Sequence, residues 1–314
     1  MSTIATTNER DDAVEYFADS LESLYDHHMP AHGDPLELYT YTPPPAAKGA
    51  ASFTVRLPPQ QVNSLFAHHV WNAGLRMADA IAEGRLDVRE QTVVELGAGA
   101  GLPALMAARA GARRVVITDY DDPLIVANMR DNIALALRDL PDVRARVAAE
   151  GHSWGEEASL SRVLAANDDS RFSLILLADT LWVSSAHDLL LSSLTRLFDR
   201  SASARIAVCA GFHSGRRTVR RFLRKAKRVG LVPRGPAWEE LGVDGRRREW
   251  GWDRRAGSTR SRGGESAIAD RTEEEEEKED DTSDGEVEEE DASERNKWVV
   301  EGLLGWSDEA LAGA

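Results

Sequence analysis

The chain has 314 residues, 42% of them hydrophobic, and a formal net charge of −15; that apolar share supports one large packed domain or two small ones. Its single cysteine, Cys209, excludes a disulfide framework, no apolar run reaches the roughly 18 residues of a membrane span, and the first residues lack the basic-then-apolar pattern of a secretory signal, so a soluble cytoplasmic protein is expected. The acidity is local: residues 265–295 hold 17 acids against 3 bases, leaving the rest of the chain near neutral, so the total charge says nothing about partners of the folded body.

Residues 1–34 are polar and acidic and read as a flexible tail with a short helix near Val14–Tyr25. "LELYTYT" and "ASFTVRLP", joined by a Pro/Gly/Ala-rich turn, predict a β-hairpin. "SLFAHHVWNAGLRMADAIAEG" reads as an amphipathic helix, with Leu75, Ala78, Ile81 and Ala82 at helical spacing and Gly84 as its cap. Strands and helices then alternate. "QTVVEL", "RRVVITDY", a weaker "RARVAAEG", "FSLILLADTLW" and "ARIAVCAGF" read as strands. "GLPALMAARAG", "PLIVANMRDNIALAL", "HDLLLSSLTRLF" and "RRTVRRFLRKAKRVG" read as helices. The last helix sets Val219, Phe222, Leu223 and Ala226 on one face and arginines on the other. This alternation predicts an α/β fold, a mainly parallel doubly wound sheet covered on both faces.

"LVPRGPAWEELGVDGRRREWGWD" predicts an antiparallel strand or hairpin. Residues 254–295 carry almost no bulky apolar side chain, and that composition predicts a disordered insertion. "NKWVVEGLLGW" at 296–306 is strand-like again and reads as a last core strand, so the ends of the insertion should lie close together. The expected organisation is one domain over 35–314, interrupted at 254–295.

"VVELGAGAGLP" is a strand end, a tight turn and a helix start. Gly97, Gly99 and Gly101 remove Cβ atoms where the backbone bends and a ligand approaches, and Pro103 suits the first helical turn. Ligands of doubly wound sheets bind beyond the carboxyl ends of the strands, near the switch point in strand order. Asp119 ends the next strand and is placed to accept hydrogen bonds from two ribose hydroxyls, which points to an adenosine-containing cofactor. Asp119 could instead cap the next helix, a role that Asp121 or Asp122, just before Pro123, would serve better. The glycine spacing differs from G-x-G-x-x-G, and Glu95 near the loop suits a cationic ligand better than a pyrophosphate. S-adenosylmethionine has no phosphates and carries a sulfonium, which the indoles of Trp71 and Trp154 can face.

Taken together, "HHVWNAGLRMAD", "VVELGAGAGLPAL", "VVITDYDDP", "GHSWG", "FSLILLADTLW", "GFHSGR" and "RNKWVVEGLLGW" resemble the family-16 seven-β-strand methyltransferases. Within that group they are similar to the fungal nicotinamide N-methyltransferase-like branch. That branch contains methyltransferases acting on the N-terminal glycine and adjacent lysine of translation elongation factor 1-alpha. The resemblance covers residues 36–253 and 296–306. It implies a Rossmann-like seven-stranded sheet with an antiparallel last strand and S-adenosyl-L-methionine as cofactor. It also implies cofactor contacts from Trp71, Gly97, Ala98, Gly99, Asp119, Trp154 and Ala178. Asp179 and Trp182 of "ADTLW" match the acid-x-x-aromatic motif beside the acceptor, where Trp182 replaces the commoner Tyr or Phe. The acidic insertion, between the sixth and seventh strands, also departs from the family pattern.

An amine must lose a proton before it can accept a methyl group. Asp179 is expected to hold the amine and Trp182 to wall the pocket, with His152 and His213 near strand ends as candidate bases. His68 and His69 form no convincing metal site, and no metal is expected. The expected acceptor is a protein, elongation factor 1-alpha, at its N-terminal α-amine or a lysine; a nicotinamide-like small amine is the alternative. A non-catalytic binding module and a dinucleotide dehydrogenase fit less well. The basic helix at 216–228 could meet RNA or a ribosome; no contact with DNA or membrane is expected, and the chain is read as a monomer.

Overall fold

The computed structural model describes residues 31–59, 69–250 and 292–313. The helix expected at 14–25, His68 and most of the acidic insertion lie outside the described residues. The strands are β1 (Ala31–His32), β2 (Leu38–Tyr41), β3 (Phe53–Arg56), β4 (Val70–Trp71), β5 (Thr92–Leu96), β6 (Arg114–Asp119), β7 (Val147–Gly151), β8 (Leu174–Ala178), β9 (Arg205–Gly211), β10 (Leu231–Pro233), β11 (Glu239–Gly242), β12 (Arg247–Glu249) and β13 (Trp298–Trp306). The helices are α1 (Asn72–Ala82), α2 (Leu102–Arg109), α3 (Pro123–Ala136), α4 (Pro141–Arg144), α5 (Glu157–Ala165), α6 (His187–Leu197), α7 (Arg216–Arg228), α8 (Ala292–Arg295) and α9 (Asp308–Ala312).

The main sheet runs β12-β11-β13-β9-β8-β5-β6-β7, with β10 also on β13. Strands β9, β8, β5, β6 and β7 are parallel neighbours, and β13 inserts antiparallel beside β9. The expected mainly parallel sheet with an antiparallel last strand, β13, is present, and it has nine strands where seven were expected, β10 and β12 being the additions. The hairpin β2–β3 forms as read, pairing Leu38 with Arg56 and Tyr41 with Phe53.

Side chains alternate along each central strand as pleating requires. Val93, Val115, Ile117, Leu174 and Leu176 join the core under α1, α2, α3 and the hairpin. Val94, Leu96, Val116, Ile175 and Leu177 join the opposite core under α5, α6 and α7. All five residues of β5 are buried, as befits a strand covered on both faces. In α7 the buried side chains are Val219, Phe222, Leu223 and Ala226, the face read from the sequence.

Two boundaries differ from the sequence reading. Trp71 has extended backbone and caps α1, so the helix begins at Asn72, and Val70–Trp71 pair with Ala31–His32 instead of continuing it. Residues 292–295, inside the stretch read as disordered, form α8. Helix α5 was not read from its polar sequence. The described flanks of the insertion do lie close together. Trp250 packs 6.2 Å from the ring of Phe212, and Arg295 donates to the carbonyl of His213 at 3.3 Å.

Candidate functional site

The chain switches sides of the sheet between β5 and β8, which are hydrogen-bonded neighbours. The two loops leaving these strands at their carboxyl ends are Gly97–Gly101 and Asp179–Trp182. Gly97, Gly99 and Gly101 have φ of +70°, +54° and +78°, the left-handed region that favours glycine. A Cβ at Gly97 would lie 2.8 Å from the Thr180 methyl and 3.5 Å from the Trp154 ring. Thr180 therefore links the two loops, and Trp154 reaches the first from the end of β7.

The loop's own polar groups hold it in shape. Ala98 N–H donates to Thr118 O at 3.0 Å and Gly101 N–H to Ala98 O at 2.7 Å. Gly99 N–H donates to Asp119 Oδ2 at 2.6 Å, and Tyr120 N–H donates to Asp119 Oδ1 at 2.6 Å. Burial raises the Asp119 carboxyl above its ordinary pKa, against the pull of those two donors. Each oxygen keeps a further lone pair for a ligand hydroxyl. Asp119 does not cap the following helix: Asp122 does, accepting from Leu124 and Ile125 N–H at 2.8 and 3.3 Å.

Glu95 is corrected by the structure. It does not face a ligand; it is 1% exposed and accepts from Ala104 N–H in the first turn of α2 at 2.9 Å. Burial pushes its carboxyl up to about 8, with the charge of Asp119 adding to the rise. The consequence still disfavours a dinucleotide. A pyrophosphate needs free amides at a helix N-terminus. Here the Ala98, Gly99, Gly101 and Ala104 N–H groups have internal partners, and Pro103 has no N–H. A phosphate-free adenosine ligand makes no such demand. The buried Thr180 hydroxyl has no hydrogen-bond partner among the described residues, while it is the Thr180 methyl that lies against Gly97. The residues present thus fit S-adenosylmethionine.

On the β8 side, Asp179 is a non-glycine residue at φ +59°. Its Oδ1 accepts from Gly211 N–H at 2.9 Å, and its Oδ2 lies 2.9 Å from His213 Nε2. Trp182 is partly buried, and its carbonyl accepts from the Ser214 hydroxyl at 2.7 Å, tying this loop to the one after β9. The Trp71 ring meets His213 edge-on at 4.9 Å. Ala178 ends β8 and is partly buried. The structure therefore brings Gly97, Ala98, Gly99, Asp119 and Trp154 into one half-site. Trp71, Asp179 and His213 form the other, with Trp182 tethered to its rim.

His152 is not available as a base. Its ring nitrogens each lie 2.9 Å from a hydroxyl, Nδ1 from Ser159 and Nε2 from Ser193, and burial lowers its pKa to about 4. It stays neutral and joins α5 to α6. Thr180, Gly211 and Arg295 are neighbours that the sequence reading missed. The advance signal was that Thr180, Gly211 and Arg295 lie inside the motifs "FSLILLADTLW", "GFHSGR" and "RNKWVVEGLLGW".

The chain matches the family described as lysine methyltransferase over residues 52–229. It is 30% identical over 182 residues to the protein N-terminal and lysine N-methyltransferase of Schizosaccharomyces pombe, covering 55% of this chain and 69% of that protein. It is 41% identical over 129 residues to the protein of the same name from Gibberella zeae, covering 38% of this chain and 48% of that one. The chain thus spans about half the length of this second relative. Among solved structures, the ribosomal protein L11 methylase of Lactobacillus delbrueckii aligns over 79% of each chain at 14% identity and a TM-score of 0.38.

Proposed function

The chain belongs to the lysine methyltransferase family, and from that premise we propose that it methylates nitrogen on a protein, at an N-terminal α-amine, a lysine or both. The observation that carries this reading is the pair of half-sites meeting at the switch point, joined through Thr180 at Gly97. S-adenosyl-L-methionine, when bound, supplies a methyl group on a sulfonium. Gly97, Ala98 and Gly99 give it a floor without bulky side chains, and Asp119 holds its ribose hydroxyls. Trp71 and Trp154 would supply aromatic surface for its cationic end, and Ala178 a small side chain at the end of β8. Asp179 orients the acceptor amine, and Trp182 limits the approach of anything larger.

The amine is the demanding partner. With ordinary pKa values of about 7.7–8.0 for an α-amine and about 10.4 for lysine, roughly a quarter of the first but only about 0.1% of the second is neutral near pH 7.4. A lysine acceptor therefore needs a group that takes its proton, and an α-amine barely does.

Translation elongation factor 1-alpha is the target we favour, following the branch that the motifs resemble, and a cytoplasmic monomer is the matching form. The cationic face of α7 is a candidate contact for RNA or a ribosome. No helix among the described residues is long and apolar enough to cross a membrane. Both relatives reported above are named as protein methyltransferases, and no observation favours a nicotinamide-like amine. Incubating the purified chain with labelled S-adenosylmethionine and a cell lysate tests the reading. One labelled protein band is expected; label confined to small molecules sinks it.

A further inference from the structure

Building on the acceptor class above, we propose that His213 takes the proton from the incoming ammonium and that Asp179 and Gly211 position its ring to do so. The geometry is specific. Asp179 leaves β8 in the left-handed conformation and turns its carboxylate across to β9. One oxygen is fixed by Gly211 N–H and the other meets His213 Nε2, each at 2.9 Å. The imidazole folds back over Gly211 so closely that a Cβ there would lie 2.5 Å from Nε2 and 3.0 Å from both flanking ring carbons. Only glycine at 211 leaves room for this ring. The Trp71 ring meets the imidazole edge-on at 4.9 Å, and Arg295 holds the His213 carbonyl at 3.3 Å.

An imidazole that donates from Nε2 to a carboxylate keeps its lone pair on Nδ1. Among the described residues Nδ1 makes no protein hydrogen bond. The step balances simply. An N–H bond of the acceptor ammonium breaks, its proton joins Nδ1, and the electron pair stays on the acceptor nitrogen, ready to form the bond to carbon. The imidazolium sits against Asp179 and later returns its proton to water.

The charged groups facing the ring are Asp179 from the end of β8 and Arg295 from α8; Trp71 is neutral, and His69 lies beyond it, 6.3 Å from the indole. Burial alone would lower the pKa of His213. The charge and hydrogen bond of Asp179 outweigh that and the opposing Arg295, and the pKa is raised. The ring is then a stronger base than an ordinary histidine, which suits a reluctant lysine proton.

Two measurements decide. In the first, the His213 imidazole of the full chain is titrated by NMR without ligand, alongside Asp179→Asn. The wild-type pKa is expected above the ordinary value and that of the variant below wild type; no difference between them overturns the dyad. In the second, His213→Gln and Gly211→Ala act on two peptides, one with a free α-amine and no lysine, the other N-acetylated with one lysine. Retained affinity for S-adenosylhomocysteine shows that each variant is folded. Turnover of the lysine peptide is expected to fall about 100-fold and that of the α-amine peptide less than about tenfold, with KM little changed. Equal losses on both peptides, or a change in KM alone, overturn the proposal. A wild type silent on both peptides would instead overturn the acceptor class.

Discussion

Around the glycine loop the bonded amides find their partners within the stretch Glu95–Tyr120, and one side chain from beyond it, Asn132, donates to Ala100 O at 3.0 Å; around Asp179 the contacts come from residues as distant as Trp71, Gly211, His213 and Arg295. The first half-site is mostly one βαβ unit, with Asn132 from α3 and Trp154 from beyond β7 reaching in. Its amides are used by its own carboxylates and carbonyls, so it is shaped before a ligand arrives. The second half-site exists only when β8, β9, the entry to α1 and the return of the chain at α8 have all come together. The glycine-loop half can therefore survive damage to the Asp179 half, while both depend on the central strands.

Gly97→Ala puts this asymmetry under the heaviest load. The new Cβ meets the Thr180 methyl at 2.8 Å in a backbone at φ +70°. Left-handed backbone alone costs an L-residue about 1–2 kcal/mol. With the collision added, affinity for S-adenosylhomocysteine should fall about 100-fold, or roughly 2.8 kcal/mol. Asp119→Ala should lose as much, since it removes the proposed ribose acceptor and frees the Gly99 N–H. Gly211→Ala should leave that affinity within about twofold, because its clash lies in the other half. Calorimetry on the three variants settles it: equal losses for all would mean that the halves are one unit.

Glu95 sharpens the contrast through pH. Its carboxyl is raised from 4.5 to about 8 by burial, so the folded chain holds this proton more tightly than the unfolded chain does. The stabilisation is complete below the ordinary value and is lost as pH rises toward 8, at about 1.4 kcal/mol per unit of difference. Glu95→Gln keeps an acceptor for Ala104 N–H and has no proton to lose. Its melting temperature should match wild type near pH 5 and exceed it near pH 8. Parallel melting curves across that window would show that the carboxyl is not confined as described.

The same contrast explains what could be read from the residues alone. Alternating Val93–Leu96 and Leu174–Leu177 announced strands buried on two faces, and the glycines with Asp119 announced a tight left-handed loop beside a carboxylate, because each signal lies within a few residues. The helical spacing of Val219, Phe222, Leu223 and Ala226 was equally local, and those four are the buried ones. The partnership of Asp179 with His213 was not legible, since it depends on β9 lying beside β8 and on a ring folding over Gly211. Glu95 misled for the opposite reason: adjacency to the loop suggested contact with a ligand, whereas pleating turns its side chain toward the first turn of α2. Trp71 was read as helical from apolar spacing, yet pairing with β1 holds it extended.

The smallest effect separates two neighbouring acids. Asp122 caps α3 through the Leu124 and Ile125 amides, with Pro123 completing the first turn. Removing such a cap costs about 1 kcal/mol of stability. Asp122→Ala should lower the unfolding free energy by that amount and leave cofactor affinity untouched, because none of its described bonds reaches the glycine loop. Asp119, three residues earlier, should behave in the reverse way. Its two bonds run to Gly99 and Tyr120, and neither belongs to a helix. Denaturant melts paired with calorimetry on the two alanine variants give a double dissociation if the glycine-loop half is assembled as described. If Asp122→Ala weakens cofactor binding as much as Asp119→Ala does, the entry to α3 is part of the ligand cradle, and the boundary drawn at Tyr120 lies too early.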